Sequence, residues 1–379
     1  MKKKLPILLL SMIILTLLLT GCGQTAQTST RSNELTENNE PSSTNESTES
    51  NEPTSTSEPA PTSNSETIQS EQQTAPPENE STKEEVKVLT DASAVYMTTE
   101  ITPEGLKAVY DALEWTPKGN LAIKTSTGEP PKSNYLRPEL IGDFVSSLDG
   151  TIVECNTAYG GSRAETAMHY QVAEDHGFTS FADVDIMDEN GSMELVVGAG
   201  DVLGGVNYVG ANFANYDSML VLSHFKGHAM AGFGGAIKNI SIGISSSMGK
   251  VWIHSGGERT KGSINGNTDK FQMAMAEAGL SVSDALGEGE NIVYINVMNR
   301  LSVDCDCDGN PAEPDIHDIG ILASADPVAL DQACLDLIWE AEGNKSFVQR
   351  VESRKGFLSI EYAEEIGLGS RQYELVSLD

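Results

Sequence analysis

The chain has 379 residues and a formal net charge of −32, from 56 acidic residues against 24 Lys and Arg. Charge of that sign repels phosphate backbones and anionic lipid headgroups, which argues against nucleic acid as a partner. A solvated acidic surface is the plain reading of the excess, and a cation-rich exterior or a set of metal ligands is the sharper one.

The first element is an export signal. Lys2, Lys3 and Lys4 precede an apolar run from Leu5 to Leu19, the basic and apolar parts of a secretory leader. Leu19-Thr20-Gly21-Cys22 then matches the lipoprotein signal, in which small residues precede a cysteine that takes the lipid and becomes the new N-terminus. The run is short for a bilayer span of about 20 residues, so lipidation of Cys22 is expected in place of a transmembrane anchor. Acyl chains contribute about 0.8 kcal/mol per buried methylene, and the protein is expected to sit lipid-anchored on the extracytoplasmic face of the cell membrane. From Gly23 to Lys87 the composition turns to Ser, Thr, Asn, Glu, Gln and Pro, without Phe, Trp or Tyr. Such a segment buries too little apolar surface to offset the entropy of ordering it, and a disordered tether is expected there. With +3 in the signal and −10 in the tether, about −25 remains for residues 88–379. That length suffices for one large domain or two intimately joined lobes.

Within residues 88–379 helices and strands alternate. Val86 to Met97 mixes apolar and polar residues. Thr102-Pro103-Glu104-Gly105 starts a helix through Leu106 to Trp115. Leu121 to Lys124 reads as a strand, Arg137-Pro138-Glu139 opens a helix through Leu148, and Thr151 to Cys155 is a second strand. Ala164 to His176 has helical spacing and stops at Gly177. Further strands are expected at Glu194 to Val197, Met219 to Ser223, Ile292 to Val297 and Ile319 to Ala323, the last leading through Asp326-Pro327 into a helix from Val328 to Ala341. This alternation predicts an α/β fold, a mainly parallel sheet with helices on both faces. Ligands then belong beyond the carboxyl ends of its strands.

One run stands directly after such a strand: Ser223-His224-Phe225-Lys226-Gly227-His228, then Ala231-Gly232-Phe233-Gly234-Gly235-Ala236-Ile237-Lys238. Gly232, Gly234 and Gly235 are expected to let the backbone take positive φ, approach a ligand closely and offer amide N–H groups to an anion. Lys238 supplies a charge, or an amine whose pKa falls when desolvated. His224 and His228 can titrate or ligate a metal, and His254 follows at the end of Val251-Trp252-Ile253. Each part alone has a plain structural explanation, and the conjunction is what points to a site. After the strand ending at Cys155, Arg163 can grip a carboxylate or phosphate in bidentate fashion, or form an internal ion pair. Besides Cys22 the chain holds Cys155, Cys305, Cys307 and Cys334. Cys305 and Cys307 are too close in sequence to be read as a mutual bridge, so a partner from Cys155 or Cys334, or a soft metal pair, stays open. Asp304, Asp306, Asp308 and Asp315 bracket the two thiols, as metal donors or as a loop satisfying its own backbone.

The run from Ser223 to His254, with Asp304-Cys305-Asp306-Cys307-Asp308-Gly309 and Pro314 to Asp331, resembles the DUF362 family, sometimes labelled iron–sulfur centre proteins, over most of residues 86–379. The Cys-x-x-Cys repeats of the ferredoxin insert in some relatives are not in this sequence, so an iron–sulfur cluster is not expected. More distantly, His228, Ala231 to Gly235, Lys238 and His254 are similar in order and spacing to the active-site run of the nickel-pincer lactate racemases. That resemblance implies Lys238 as the lysine that attaches the cofactor, His254 as a nickel ligand and His228 as one of two acid/base histidines, with His169 or His176 as candidates for the second. Because Lys2-Lys3-Lys4 lacks a twin arginine, the chain is expected to cross the membrane unfolded, whereas such groups are installed inside the cell. The expected occupant is therefore a captured metal ion or a small anionic ligand. Three functions follow: a metal- or cofactor-dependent redox or isomerase-type enzyme on a small anion, a tethered binding protein using the same pocket without turnover, and an envelope interaction module.

Overall fold

Strands that are apolar at every position need cover on both faces, and three segments of this chain have that character. In Leu121-Ala122-Ile123, Met219-Leu220-Val221-Leu222 and Ile292-Val293-Tyr294-Ile295, successive side chains alternate between two separate hydrophobic clusters. The computed structural model describes residues 92–379. The leader, Cys22, the tether of residues 23–87 and the first residues of the 88–379 domain lie outside the described residues.

In chain order the elements are β1 (Ser93–Thr98), α1 (Pro103–Ala112), β2 (Leu121–Lys124), α2 (Pro138–Ser147), β3 (Thr151–Glu154), α3 (Thr166–Asp175), β4 (Val184–Ile186), β5 (Ser192–Val196), β6 (Val206–Gly210) and β7 (Ser218–His224). They continue as β8 (Lys226–His228), β9 (Gly232–Gly234), α4 (Ala236–Ser241), α5 (Ser247–His254), α6 (Thr268–Ala285), β10 (Ile292–Met298), β11 (Gly320–Ser324), α7 (Pro327–Glu340), α8 (Lys345–Ser353), α9 (Phe357–Glu365) and β12 (Tyr373–Ser377).

Eight strands form one sheet in the order β12-β1-β11-β10-β7-β2-β3-β4. All its neighbours run parallel except β11, which is antiparallel to both β1 and β10. The expected mainly parallel α/β architecture is therefore present. One face is covered by α1 and α2 through Leu106, Val109, Ile141 and Phe144. The other is covered by α4, α6 and α7 through Ile237, Ile240, Leu280, Leu330 and Leu335. Each such aliphatic side chain contributes roughly 1.5–3 kcal/mol when fully buried.

Helix starts follow local chemistry. Thr102 accepts from the Gly105 N–H, with Pro103 at the first helical position of α1, and Asp326 accepts from Val328 and Ala329 at the start of α7. Among the described residues no helix is long and apolar enough to cross a bilayer.

Because β2, β3 and β7 are adjacent and parallel, Lys124, Glu154 and His224 emerge side by side at one edge of the sheet. The site is built there.

Candidate functional site

Beyond those strand ends the chain folds over the sheet edge. The β8–β9 hairpin brings Lys226 and His228, α4 brings Lys238, and α5 presents Lys250 and His254 one helical turn apart on the same face. Together with the loop carrying Cys305 and Cys307 they enclose a cavity of about 850 Å³, counted to its open mouth. His228, Lys238, His254, Arg163, Gly234, Gly235, Cys305 and Cys307 all line it, and Gly232 does not.

The cavity is cationic inside an acidic domain. Lys124, Arg163, Lys226, Lys238 and Lys250 face it, against the carboxylates of Glu154 and Asp306. Both carboxylates are already engaged. Glu154 Oε2 accepts from Thr127 N–H at 3.1 Å and Thr127 Oγ1 at 2.5 Å and pairs with His169 Nε2 at 2.8 Å. Its Oε1 faces Arg163 at 3.4 Å and Lys124 at 3.7 Å. Although burial pushes the other way, these cations hold Glu154 well below the usual carboxylate range. Arg163 also meets Glu129 at 3.2 Å. Of its two expected roles, the internal ion pair is the one found, with the guanidinium still on the cavity wall.

Lys238 has no hydrogen bond or ion pair among the described residues, and desolvation, then Lys226, push its amine down to about 7, with Asp306 opposing. The side chain is partly exposed, but toward the cavity it lines. Lys124, fully enclosed, is lowered to about 8 by burial, with Glu154 opposing.

The three histidines differ in what they offer. His224 Nδ1 lies 2.8 Å from Asp306 Oδ1 and its Nε2 lies 2.7 Å from the Asn299 carbonyl, so both nitrogens are spent internally. His228 Nδ1 accepts from the N–H groups of Met230 and Ala231, at 3.1 and 2.9 Å. The proton of the neutral ring therefore sits on Nε2, a donor. His254 has the opposite tautomer. Its Nδ1 donates to the Lys250 carbonyl at 2.7 Å, which leaves Nε2 with an unshared lone pair while the ring stacks on Phe271. Desolvation, then Lys238, hold His228 well below its ordinary value. Desolvation pushes His254 down to about 4, with Lys238 and Lys250 adding to it. His169 is buried against Glu154, and His176 is bonded to the Thr127 carbonyl and stacked on Tyr135. Neither lines the cavity, so neither is placed as a second acid/base histidine.

The glycine turn is corrected in its role. Of Gly232, Gly234 and Gly235, Gly232 alone has positive φ, at +85°. Gly235 is required by space, since a Cβ there would lie 2.2 Å from Asp331 Oδ1. The amides of Ala236 and Ile237 behind it are held by the Asp331 carboxylate at 2.7 and 3.0 Å, so the start of α4 is capped from within and not open to an anion. The positive charge in the cavity comes from side chains.

The cysteines are also corrected. Cys305 and Cys307 are bonded to each other, and Cys155 and Cys334 are buried thiols. Their spacing of two residues permits the bridge because the loop folds back at Asp306, held by His224 and Lys226. With His228 the two sulfurs form a group whose ligand atoms lie within 4.8 Å of one another, but bridged sulfurs offer no thiolate to a metal. The neighbouring aspartates satisfy their own surroundings: Asp304 accepts from Ala312 and Arg350, Asp308 from Asn310, and Asp315 from Ser346.

A family model described as "Domain of unknown function (DUF362)" matches residues 121–336, more than half of the chain. The chain belongs to the DUF362 family. Among solved structures, this DUF362 chain is similar to the lactate racemase apoprotein from Thermoanaerobacterium thermosaccharolyticum, at 16% identity and a TM-score of 0.33, over 55% of this chain and 51% of that one. It is also similar to a protein from Thermotoga maritima, at 12% identity and a TM-score of 0.36, over 70% of this chain and 58% of the other. The chain thus spans about half the length of these structures. No curated protein matches it.

The donor set of this DUF362 site tests the cofactors considered. An iron–sulfur cluster needs four thiolates or their equivalents, and a bonded pair with two separately buried thiols does not fit. A covalently held metal group of the pincer type fits better, because the Lys238 amine and the His254 Nε2 lone pair are both unengaged.

Several site residues were not singled out from the sequence. Lys124 and Glu154 end strands that are otherwise apolar, and a charge at the carboxyl end of a buried parallel strand is itself a signal. Lys250 stands four residues before His254, legible once that stretch is read as helix α5.

Proposed function

We propose that this DUF362 protein is an extracytoplasmic, lipid-anchored enzyme that takes a small anionic molecule into the cationic cavity and moves a proton on it. The observation that carries the reading is the pairing of opposite tautomers. His254 Nε2 accepts and His228 Nε2 donates, within one cavity whose lysines and arginine attract a carboxylate or phosphate. A neutral imidazole with a free inward lone pair can take up a proton, and a neutral ring with its N–H turned inward can donate a hydrogen bond to the charge that develops on the substrate. Lys238 orients the anion through its charge. Were a covalently attached metal group present, Lys238 and His254 would hold it, and it would supply an electron-accepting centre. The reaction class is that of an isomerase or redox-type enzyme acting beside a carboxylate.

Hydrogen exchange tests this. Small 2-hydroxy and 2-amino carboxylates incubated with the protein in D₂O are expected to lose proton signal at the carbon beside the carboxylate, followed by NMR. His254→Ala is expected to slow that exchange by about 10²–10⁴-fold, the range for loss of a general base. The second reading, a tethered binding protein, wins if carboxylates bind but none exchanges.

Anchoring rests on Leu19-Thr20-Gly21-Cys22, and the bonded Cys305–Cys307 pair suits an oxidising compartment. Cys22→Ser is expected to move the protein from the membrane fraction to the soluble one. Retention of that variant in the membrane would count against lipidation at Cys22.

A further inference from the structure

The Cys305–Cys307 bridge is badly placed for a staple. A disulfide stabilises chiefly by closing a long loop in the unfolded chain, and this one joins residues two apart. Instead it forms part of the cavity wall. Each sulfur has its own hydrogen-bond donor. Cys305 Sγ accepts from the Cys307 backbone N–H at 3.3 Å, and Cys307 Sγ lies 3.9 Å from His228 Nε2, the nitrogen that carries the proton. Asp306 between them would repel a thiolate, but Lys226 at 3.0 Å offsets its charge, and its other oxygen is hydrogen-bonded to His224 at 2.8 Å. Cys307 is the more exposed of the two, Cys305 being buried.

We infer that the Cys305–Cys307 disulfide is a redox centre that exchanges with small anionic thiols drawn in by the cavity. The inference rests on the proposed anion-selective cavity and adds an activity separate from proton transfer. The entering thiol loses its proton and its thiolate attacks Cys307 Sγ. The Cys305–Cys307 bond breaks as a mixed disulfide forms, and Cys305 leaves as a thiolate facing the Cys307 N–H, then takes up a proton. A second thiolate attacks the small-molecule sulfur of the mixed disulfide. A small-molecule disulfide departs, and Cys307 leaves as a thiolate facing His228 Nε2–H. Two thiols are oxidised and one protein disulfide is reduced, with the protons of the two thiols ending on Cys305 and Cys307. Neither remaining thiol of the described residues competes: Cys155, on the cavity wall, donates to the Ile244 carbonyl, and Cys334 is fully buried beside Asn296 and does not line the cavity. The exchange partner therefore comes from solution.

The test uses the purified, oxidised full chain and two probes of like reactivity, 2-mercaptoethanesulfonate and neutral 2-mercaptoethanol. Newly exposed thiols are alkylated and counted by intact mass and peptide mapping. Both probes are expected to open the bridge in the folded protein. The sulfonate is expected to be about tenfold faster or more at low salt, the lower end of what charge focusing does to an encounter rate, with the advantage shrinking as salt is added. His228→Phe is expected to slow reduction about tenfold, the loss of one hydrogen bond to a charged group, and His228→Gln to restore much of it. A bridge that resists both thiols until the chain unfolds, while sulfonate still binds in calorimetry, overturns the inference and leaves the anion cavity standing. Equal rates with the two thiols overturn it from the other side, by removing the anion-selective cavity.

Discussion

Glu154→Ala is expected to destabilise the protein by about 3–5 kcal/mol, the cost of leaving buried charges without their partner. Glu154 is the point at which Lys124, Arg163, His169 and Thr127 meet, and all four are buried. Arg163 keeps Glu129, but Lys124 then has the Thr125 carbonyl as its remaining partner. Glu154→Gln keeps the shape and loses the charge, so it isolates the ionic part. The pH dependence has a definite sign. Because the folded-state pKa lies well below the unfolded value near 4.5, the carboxylate's contribution is fully present above that value and is lost as pH falls toward the folded one. Urea unfolding midpoints measured from neutral to acid pH should therefore fall more steeply for the wild type than for Glu154→Gln below about 4.5. Parallel curves would show that Glu154 is not the acid-sensitive support of this edge.

The sheet was legible because its strands are marked at both ends. Thr102-Pro103 announces a helix whatever surrounds it, and apolar strands such as Leu121 to Ile123 have no polar face to confuse their reading. By contrast α6 went unread. Its buried set runs from Phe271 to Ser283 almost without interruption, so there is no amphipathic stripe for periodicity to find, and small residues such as Ala274, Ala276, Ala278 and Gly279 mark no boundary. The β8–β9 hairpin was hidden for a different reason. Three glycines read as a flexible cradle, but one supplies positive φ and another makes room for Asp331, a contact 96 residues away in sequence. The convergence of His228, Lys238 and His254 followed from their common place after β7. Their tautomers did not, because His228 is set by the Met230 and Ala231 amides and His254 by the Lys250 carbonyl. A sequence gives residue types and spacing, and ring-nitrogen roles belong to the fold.

Lys238→Met is expected to weaken sulfate binding by about 10–100-fold, the worth of one charge-assisted hydrogen bond in a desolvated site. Sulfate serves because its own charge is constant across the neutral range. The wild-type profile should carry the signature of the amine itself. Lys238 is lowered to about 7, so below that pH it is an ammonium and attracts the anion, and above it the neutral amine does not. Affinity should therefore be flat in mild acid and fall by up to about tenfold per pH unit above the break, with proton uptake on binding near neutral pH. The groups facing Lys238 decide whether that break belongs to it. Lys226 is held by Asp306 and Lys250 by the Ser245 and Cys155 carbonyls, whereas Lys124 is lowered to about 8 and adds a second, later decline. Calorimetry in buffers of different ionisation enthalpy separates the two: Lys238→Met should abolish proton uptake near pH 7 and leave the step near 8, while Lys124→Met should do the reverse. A wild-type affinity that stays level through both values would mean that neither amine titrates against the ligand, and the cationic cavity would then owe its charge to Arg163 and the paired lysines alone.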